Sequence, residues 1–384
     1  MFATPGNPGM SEVATCAAAA DPLAYAGHIG ADLTVVGPEA PLAQGIVDRF
    51  RAEGRLIVGP VQAAARLEAS KSYAKEIMQR AGVPTARSLT VTTLDEALRA
   101  IKHFPVPMVL KADGLAAGKG VVICHTREEA EAAARQLLQL APPLVIEEFL
   151  AGEEVSYIVL SDGNRAIAFE PTQDHKAVHD GDTGPNTGGM GAYCDGRILT
   201  ADDQQRVMQT VIEPVIATMR AEGTPFTGFL YAGLMMTADG PKVLEFNARL
   251  GDPETQVLMH RMEGDFTAPL LAAARGDLRP AAFSWKPAPS VCVVMAASGY
   301  PGTVRTGDLI SGIADAAATV FQAGTRLTGR GLETSGGRVL GVTASGEDLE
   351  TAIRNAYASV EKIRFDGMHY RKDIGAKGLK RWRA

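Results

Sequence analysis

The string 109–122, Val-Leu-Lys111-Ala-Asp-Gly114-Leu-Ala-Ala-Gly118-Lys119-Gly120-Val-Val, constrains this chain more than any other segment. Apolar, β-branched runs stand at both ends, so a strand leads into the glycines and a strand leads out. The string is not a P-loop. Three residues, not four, separate Gly114 from Gly118, Gly120 stands where a Ser or Thr would hold magnesium, and no helix follows. A glycine-rich link between two strands is a flap. Its glycines let the backbone approach phosphate oxygens, and Lys111 and Lys119 supply positive charge at either end. The alternative is a hairpin with solvated lysines; lysine placed twice around small residues favours phosphate.

The rest of the chain reads as α/β. A β-branched run at 32–37 leaves through Gly37-Pro38-Glu39, a helix covers 44–53 and a second strand covers 55–59. That is a parallel βαβ signature, with ligand-binding loops expected at the strand ends. Ser70 caps a helix that Gly82 and Pro84 stop, and Thr126 caps one running to 140. Further strands are expected at 87–91, 108–111, 121–124, 144–149, 155–160 and 166–170. The glycine-dense stretch 181–191 is expected as a loop, 201–222 as a long helix, and 231–237 with 241–247 as a hairpin about Asp239-Gly240. A break in composition at 280–289 precedes a last region of short strands with one helix, 347–362.

Three more clusters carry chemistry. Glu147-Glu148-Phe149-Leu150 with Glu153-Glu154 could form an adenine slot and a ribose clamp, or simply a solvated acidic turn. Glu245, Asn247 and Arg249 alternate along a strand, so they share one face while Leu244 and Phe246 face the core. A carboxylate beside an amide oxygen suits Mg²⁺, and Arg249 could steady a transferring phosphoryl group. The competing reading is a solvated strand face. The loop from Asp174 to Gly191 offers Asp, Asn, Thr and glycine-freed N–H groups for a small polar substrate. His175 and His179 are four apart, but the Gly and Asp around them forbid the helix that a zinc pair would need.

Composition narrows the class. Lys plus Arg is 38 against 44 Asp plus Glu, a net charge of −6, which leaves no basic excess for nucleic acid. No apolar run is long enough to span a membrane, and the first residues lack the basic and apolar regions of a secretory signal. Cys16, Cys124, Cys194 and Cys292 lie far apart, as structural thiols of a cytoplasmic protein would.

Together these motifs resemble the ATP-grasp ligases, specifically the glycinamide ribonucleotide synthetases or phosphoribosylamine–glycine ligases. The strings GPEAPL at 37–42, KADGLAAGKGV at 111–121, EEFLAGEEVS at 147–156, DGDTGPNTGGMGAY at 180–193, EFNARLGDPETQ at 245–256 and YRKDIGAKGL at 370–379 carry the resemblance. It implies an N-terminal parallel α/β domain over 1–68, an ATP-grasp domain over 69–279 with its flap at about 88–156, and a C-terminal mixed α/β domain over 280–384. By the family pattern the sequence starts about one βα unit late, so the first domain is expected to be incomplete and to lack a turn that helps bind the substrate's phosphate. The implied reaction joins glycine to 5-phosphoribosylamine, with ATP and Mg²⁺ or Mn²⁺, through glycyl phosphate, in a monomer.

Carried onto this sequence, Lys71 and Lys111 are the nucleotide lysines, and Gly114, Gly118, Lys119 and Gly120 form the flap. Glu147, Leu150 and Glu154 take the adenosine, and Glu245 and Asn247 the metal. Arg249 and Lys119 are the catalytic charges. Glu39 with Asp174, Lys176, Asp182, Thr183, Gly184, Asn186, Gly188, Gly189 and Met190 lines the substrate region. Two alternatives stay open: an N-terminally truncated, catalytically impaired ATP-binding homologue, or another ATP-grasp carboxylate–amine ligase.

Overall fold

The computed structural model of the chain describes residues 1–115, 120–279 and 283–383. Its first region pairs Thr34–Val35 with Ile57–Val58 in parallel, as the βαβ pattern requires. The helix expected over 44–53 forms as Ile46–Ala52, and a second, unexpected one precedes it. This one is Glu39–Ala43, with Pro41 in the first turn, where its missing N–H has no intrahelical partner to lose. Gly45 then takes φ of +81° and Ile46–Ala52 starts afresh. Leu42, Val47, Phe50 and Ile57 are buried between these elements.

The flap region is a four-stranded antiparallel sheet in the order Ser88–Val91, Leu144–Glu148, Met108–Ala112, Val121–Cys124. Helices Leu94–His103 and Arg127–Leu140 cover one face, each opened by a capping box, Thr93 with Glu96 and Thr126 with Glu129. Ala97, Ile101, Ala130, Ala134 and Leu137 pack under them.

A second antiparallel sheet forms the centre. Its order is Gly240–Asn247, Thr227–Thr237, Glu153–Asp162, Thr172–Asp174, Gly191–Cys194, Ser290–Ala296, Arg338–Ser345, Thr319–Gln322. Hydrogen bonds therefore cross the composition break at 280–289, pairing Gly191 with Val293 and Cys194 with Ser290.

Three expectations need amendment. The stretch 181–191 is not all loop: Thr183–Asn186 pairs with Ala177–His179 as a hairpin turned by Gly181 and Asp182, both at positive φ. The helix expected over 201–222 widens into a π-turn at Met208–Ile212, just before Pro214, which has no N–H to give the carbonyl four residues back. Among its described residues the C-terminal region holds two α-helices, Leu349–Val360 and Ala376–Arg383. The second packs Leu379 on the core and donates from Arg381 to the Ile198 carbonyl at 2.8 Å, a tertiary gain that outweighs the Gly378 in its turn.

The 177–186 hairpin is latched by the C-terminal segment. The buried Arg371 guanidinium donates to Ala177 O and Asp182 at 3.0 Å and to both oxygens of Asp373 at 2.7 Å. Beneath it lies His175, 1% exposed, with Nδ1 3.3 Å from Gly191 O and no hydrogen-bond partner for Nε2 among the described residues. Burial, with Lys377 and Arg371 adding repulsion, pushes its imidazole down to about 4 from 6.5. The folded protein holds this ring neutral where the unfolded chain protonates it. Stability is therefore full above about pH 6.5, falls by roughly 3 kcal/mol as pH drops to about 4, and gains no further loss from this group below that. Denaturant titrations across this window should show that slope in the native protein and a flatter one in His175→Asn; equal slopes would remove His175 as the cause.

Candidate active site

Three elements bring the expected residues together: the helix Lys71–Arg80, the flap sheet, and the far end of the strand Gly240–Asn247. Ser70 caps the helix as expected, accepting from Tyr73 N at 3.2 Å. Asp113, at the root of the flap, adds a second cap. Its carboxylate takes the N–H groups of Lys71 and Ser72 and the hydroxyls of Ser70 and Ser72, which suits a negative charge at a helix N-terminus. Lys71 Nζ reaches back to Gly114 O at 2.9 Å, so helix and flap root hold each other. Gly118 and Lys119 lie outside the described residues. Gly120 is buried and accepts from Ala112 N at 2.8 Å, closing the strand pair.

Lys111 Nζ stands 3.0 Å from Glu147 and donates to Leu244 O at 2.9 Å. Lys75 Nζ stands 3.1 Å from the other Glu147 oxygen, an ion-pair contact without hydrogen-bond alignment, and donates to Thr85 Oγ1 at 2.8 Å. Glu147 is 2% exposed. Burial lowers Lys75 from the usual lysine range, and Glu147 opposes that. Burial likewise lowers Lys71, opposed by Glu245 and Asp113. The sequence reading passed over Lys75, although its place one helical turn after Lys71 puts both on one face. Leu150 is buried and Phe149 is 40% exposed, so the strand exit offers an aromatic face.

Glu245 and Asn247 share one face of their strand, half-buried, while Phe246 points into the core; Leu244 is half-buried, less enclosed than expected. Opposite Glu245 in register is Gly233, where a Cβ would stand 3.2 Å from Glu245 Cγ. Glycine there gives the carboxylate its room. Lys176 bridges Glu154 and Glu245, the latter at 3.3 Å. Lys176 holds the Glu245 carboxyl down at about 2, against burial, with help from Lys111 and Lys71. Burial alone would lower Lys176, but Glu154 and Glu245 keep it well above the usual lysine range. Asp174 is raised by burial and by Glu254, with Lys176 opposing. Glu254 is itself buried, accepting from Tyr231 Oη at 2.6 Å and Ser156 Oγ at 3.0 Å.

Arg249 lies just past the strand. Its Nε donates to Glu39 at 2.9 Å, Nη1 to Leu250 O at 3.1 Å, and Nη2 stands 3.3 Å from Glu68. Burial pushes Glu68 up to about 7, against Arg249 and the Ala248 N–H. Nothing in its sequence context had marked Glu68; its partners come from the distant strand end.

The expected substrate loop divides in two. Asp182 pairs with Arg371 and Lys377, and Thr183, Gly184 and Asn186 lie exposed on the latched hairpin. Gly188 and Gly189 are pinned from the other side, where Arg338 donates to Gly188 O at 2.5 Å and to Asp252 O at 2.6 Å. Gly189 has φ of +111°, and a Cβ there would meet Pro253 Cδ at 2.5 Å, so only glycine fits. Met190 is fully buried with Val178 and Ala296, and its backbone N–H and C=O bond His175 and Val294. Its side chain belongs to the core and leaves nothing for a ligand.

Comparison with known proteins agrees with this architecture. The phosphoribosylglycinamide synthetase family matches in three parts: its N domain over residues 1–68, its ATP-grasp (A) domain over 69–255 and its C domain over 290–377. A phosphoribosylamine–glycine ligase of Yersinia pestis is 49% identical over 370 residues, covering 94% of this chain and 86% of that protein. The Pseudomonas aeruginosa enzyme of the same name is 47% identical over 399 residues, covering 100% and 93%. Among solved structures, the phosphoribosylamine–glycine ligase of Thermotoga maritima superposes with a TM-score of 0.86 at 36% identity, over 97% of this chain and 93% of that one. A biotin carboxylase of Campylobacter jejuni shares the fold alone, with a TM-score of 0.70 at 17% identity over 91% and 79%. The chain belongs to the phosphoribosylglycinamide synthetase family.

Proposed function

We propose that this chain ligates glycine to 5-phosphoribosylamine, converting ATP to ADP and phosphate and giving glycinamide ribonucleotide. The observation that carries the reading is the linked set Glu154–Lys176–Glu245 beside Lys111 and Lys71, next to the flap root. Such a set suits a nucleotide with a divalent cation. Lys71 and Lys111 face the phosphates, Gly114, Gly118, Lys119 and Gly120 are assigned to the flap over them, and Glu154 with the strand exit at Leu150 takes the adenosine, while Glu147, buried between Lys75 and Lys111, acts there by holding those lysines in place.

Glu245 and Asn247 offer a carboxylate and an amide oxygen, a hard donor set. Among the described residues no group of three or more His, Cys, Asp or Glu could hold a metal, so the ion, Mg²⁺ or Mn²⁺, would complete its shell with phosphate and water. When bound it supplies charge neutralisation at the phosphates.

The glycine carboxylate oxygen attacks the γ-phosphorus, ADP leaves, and glycyl phosphate forms. The amine nitrogen then attacks the acyl carbon, phosphate leaves and the nitrogen loses a proton. No side-chain nucleophile is required. Arg249 steadies the transferred phosphoryl, Lys119 is assigned the second positive charge, and a flap over the phosphates keeps water from the acyl phosphate. Glu39 and the 174–190 loop, through Asp174, Lys176, Asp182, Thr183, Gly184, Asn186, Gly188 and Gly189, receive glycine and the phosphoribosyl group. Free cysteines and the absence, among the described residues, of a helix able to cross a membrane suit a cytoplasmic enzyme.

Phosphate release should require ATP, glycine and 5-phosphoribosylamine together, with a product of glycinamide ribonucleotide mass. ATP consumption indifferent to glycine would overturn the reading. Turnover with a different carboxylate or amine would point to another ligase, and nucleotide binding without turnover to an impaired homologue. Glu245→Gln should lower kcat on the order of 100-fold at saturating metal, by analogy with other lost transition-state charges; a variant within threefold of the native rate would take Glu245 out of the site.

A further inference from the structure

We propose that Glu68 is the positioning residue that sets the guanidinium plane of Arg249 for the transferring phosphoryl group. The inference rests on the ligase reading above, which puts Arg249 at the reacting phosphate; Glu68 has no part in that reading.

Arg249 has five N–H donors. Glu39 takes the one on Nε, Leu250 O takes one on Nη1, and Glu68 faces Nη2 at 3.3 Å. Nη1 keeps one N–H, and Nη2 meets Glu68 as an ion-pair contact without hydrogen-bond alignment, so both terminal nitrogens keep N–H groups for a ligand. The two carboxylates are not equivalent. The Glu39 side chain is 35% exposed, whereas Glu68 is 8% exposed. The second oxygen of Glu68 accepts the Ala248 N–H at 2.8 Å, from the residue just before Arg249. One buried carboxylate therefore grips both the backbone that carries Arg249 and the end of its side chain. Glu68 stands near the end of the helix Gln62–Ala69, immediately ahead of Ser70 and Lys71. The same short segment thus positions Arg249 and starts the helix that carries Lys71 and Lys75.

The grip needs two acceptors of one charge. Glutamine has one oxygen, so its amide would turn a donor toward either Ala248 N–H or Arg249. Aspartate keeps both acceptors and the charge on an arm shorter by one methylene. An arginine released from the plane still binds anions as a charge but loses the alignment that acts in the transition state. The loss belongs in kcat, with the KM for ATP largely spared.

The test is a double-mutant cycle with Glu68→Gln and Arg249→Ala in the full chain at about pH 8, where the buried Glu68 carboxyl is ionised, read as glycine- and phosphoribosylamine-dependent ADP formation. Glu68→Gln should lower kcat about tenfold, within the range for groups that orient an active-site residue, with the KM for ATP within about twofold. In the Arg249→Ala background the same change should cost less than about twofold. Glu68→Asp should recover part of the loss, and it carries the cycle if Glu68→Gln fails to fold by thermal melt. Equal losses in both backgrounds, a loss confined to the KM for ATP, or native kcat in Glu68→Gln would each overturn the role. Wild-type protein without glycine-dependent ADP formation would overturn the ligase reading and this role with it; normal wild-type activity with an additive cycle overturns the role of Glu68 alone.

Discussion

A carboxylate 2% exposed is tolerable only where cations are buried with it, and Glu147 has Lys75 on one oxygen and Lys111 on the other. The three residues come from the helix after Ser70 and from two neighbouring flap strands. Lys111 also bonds Leu244 O, while Lys75 bonds Thr85, whose hydroxyl donates to Val243 O at 2.6 Å. One buried charge group therefore fastens helix, flap sheet and central sheet at a single point. Removing either lysine would leave an under-compensated buried charge, a loss of several kcal/mol in comparable cases. The surplus of cations over the one carboxylate leaves positive charge directed at Glu245 and the flap root. That is where an incoming polyanion would find its partners already in place.

The neighbouring set works by exchange. Glu154 and Glu245 share Lys176 between them, so each of these three charges has an opposite charge beside it. Lys176 foremost, with Lys111 and Lys71, keeps the Glu245 carboxyl ionised against its burial. A nucleotide and metal would replace these internal pairs with external ones of like strength.

Local chemistry was legible in the sequence where it is enforced within a few residues. The capping threonine at 126, the serine at 70 and the Asp239-Gly240 turn all stand as read, because each satisfies backbone groups one turn away. Glu245 and Asn247 share a face because side chains alternate across a strand, and a register shift beside Glu245 is what leaves Leu244 half-buried. What the sequence hid are the partners that topology supplies. Glu68 meets Arg249, and Arg338 meets Gly188 across 150 residues, with no pattern in either string to announce it. The hairpin at 183–186 was missed because glycine-rich residues have weak propensity of their own, and Arg371 imposes the pairing from outside. Met190 was misplaced because a glycine on either side of it resembles a binding loop, whereas its side chain anchors that loop in the core.

The C-terminal region has a larger part in the site than its distance in sequence suggests. Its strands continue the central sheet through the pairing of Gly191–Cys194 with Ser290–Ala296, so the family's A and C domains meet here in one hydrogen-bonded layer. From that layer Arg338 fixes Gly188 and the Asp252 turn, and from the segment beyond it Arg371 fixes Asp182. The two halves of the 174–190 loop are thus held by two arginines on separate C-terminal elements. A loop held at both ends by charge-assisted bonds loses little further entropy when a small polar substrate arrives. Its glycines can stay small enough for close backbone approach without leaving the loop floppy. Rigidity supplied from outside is what holds so glycine-rich a segment in one conformation.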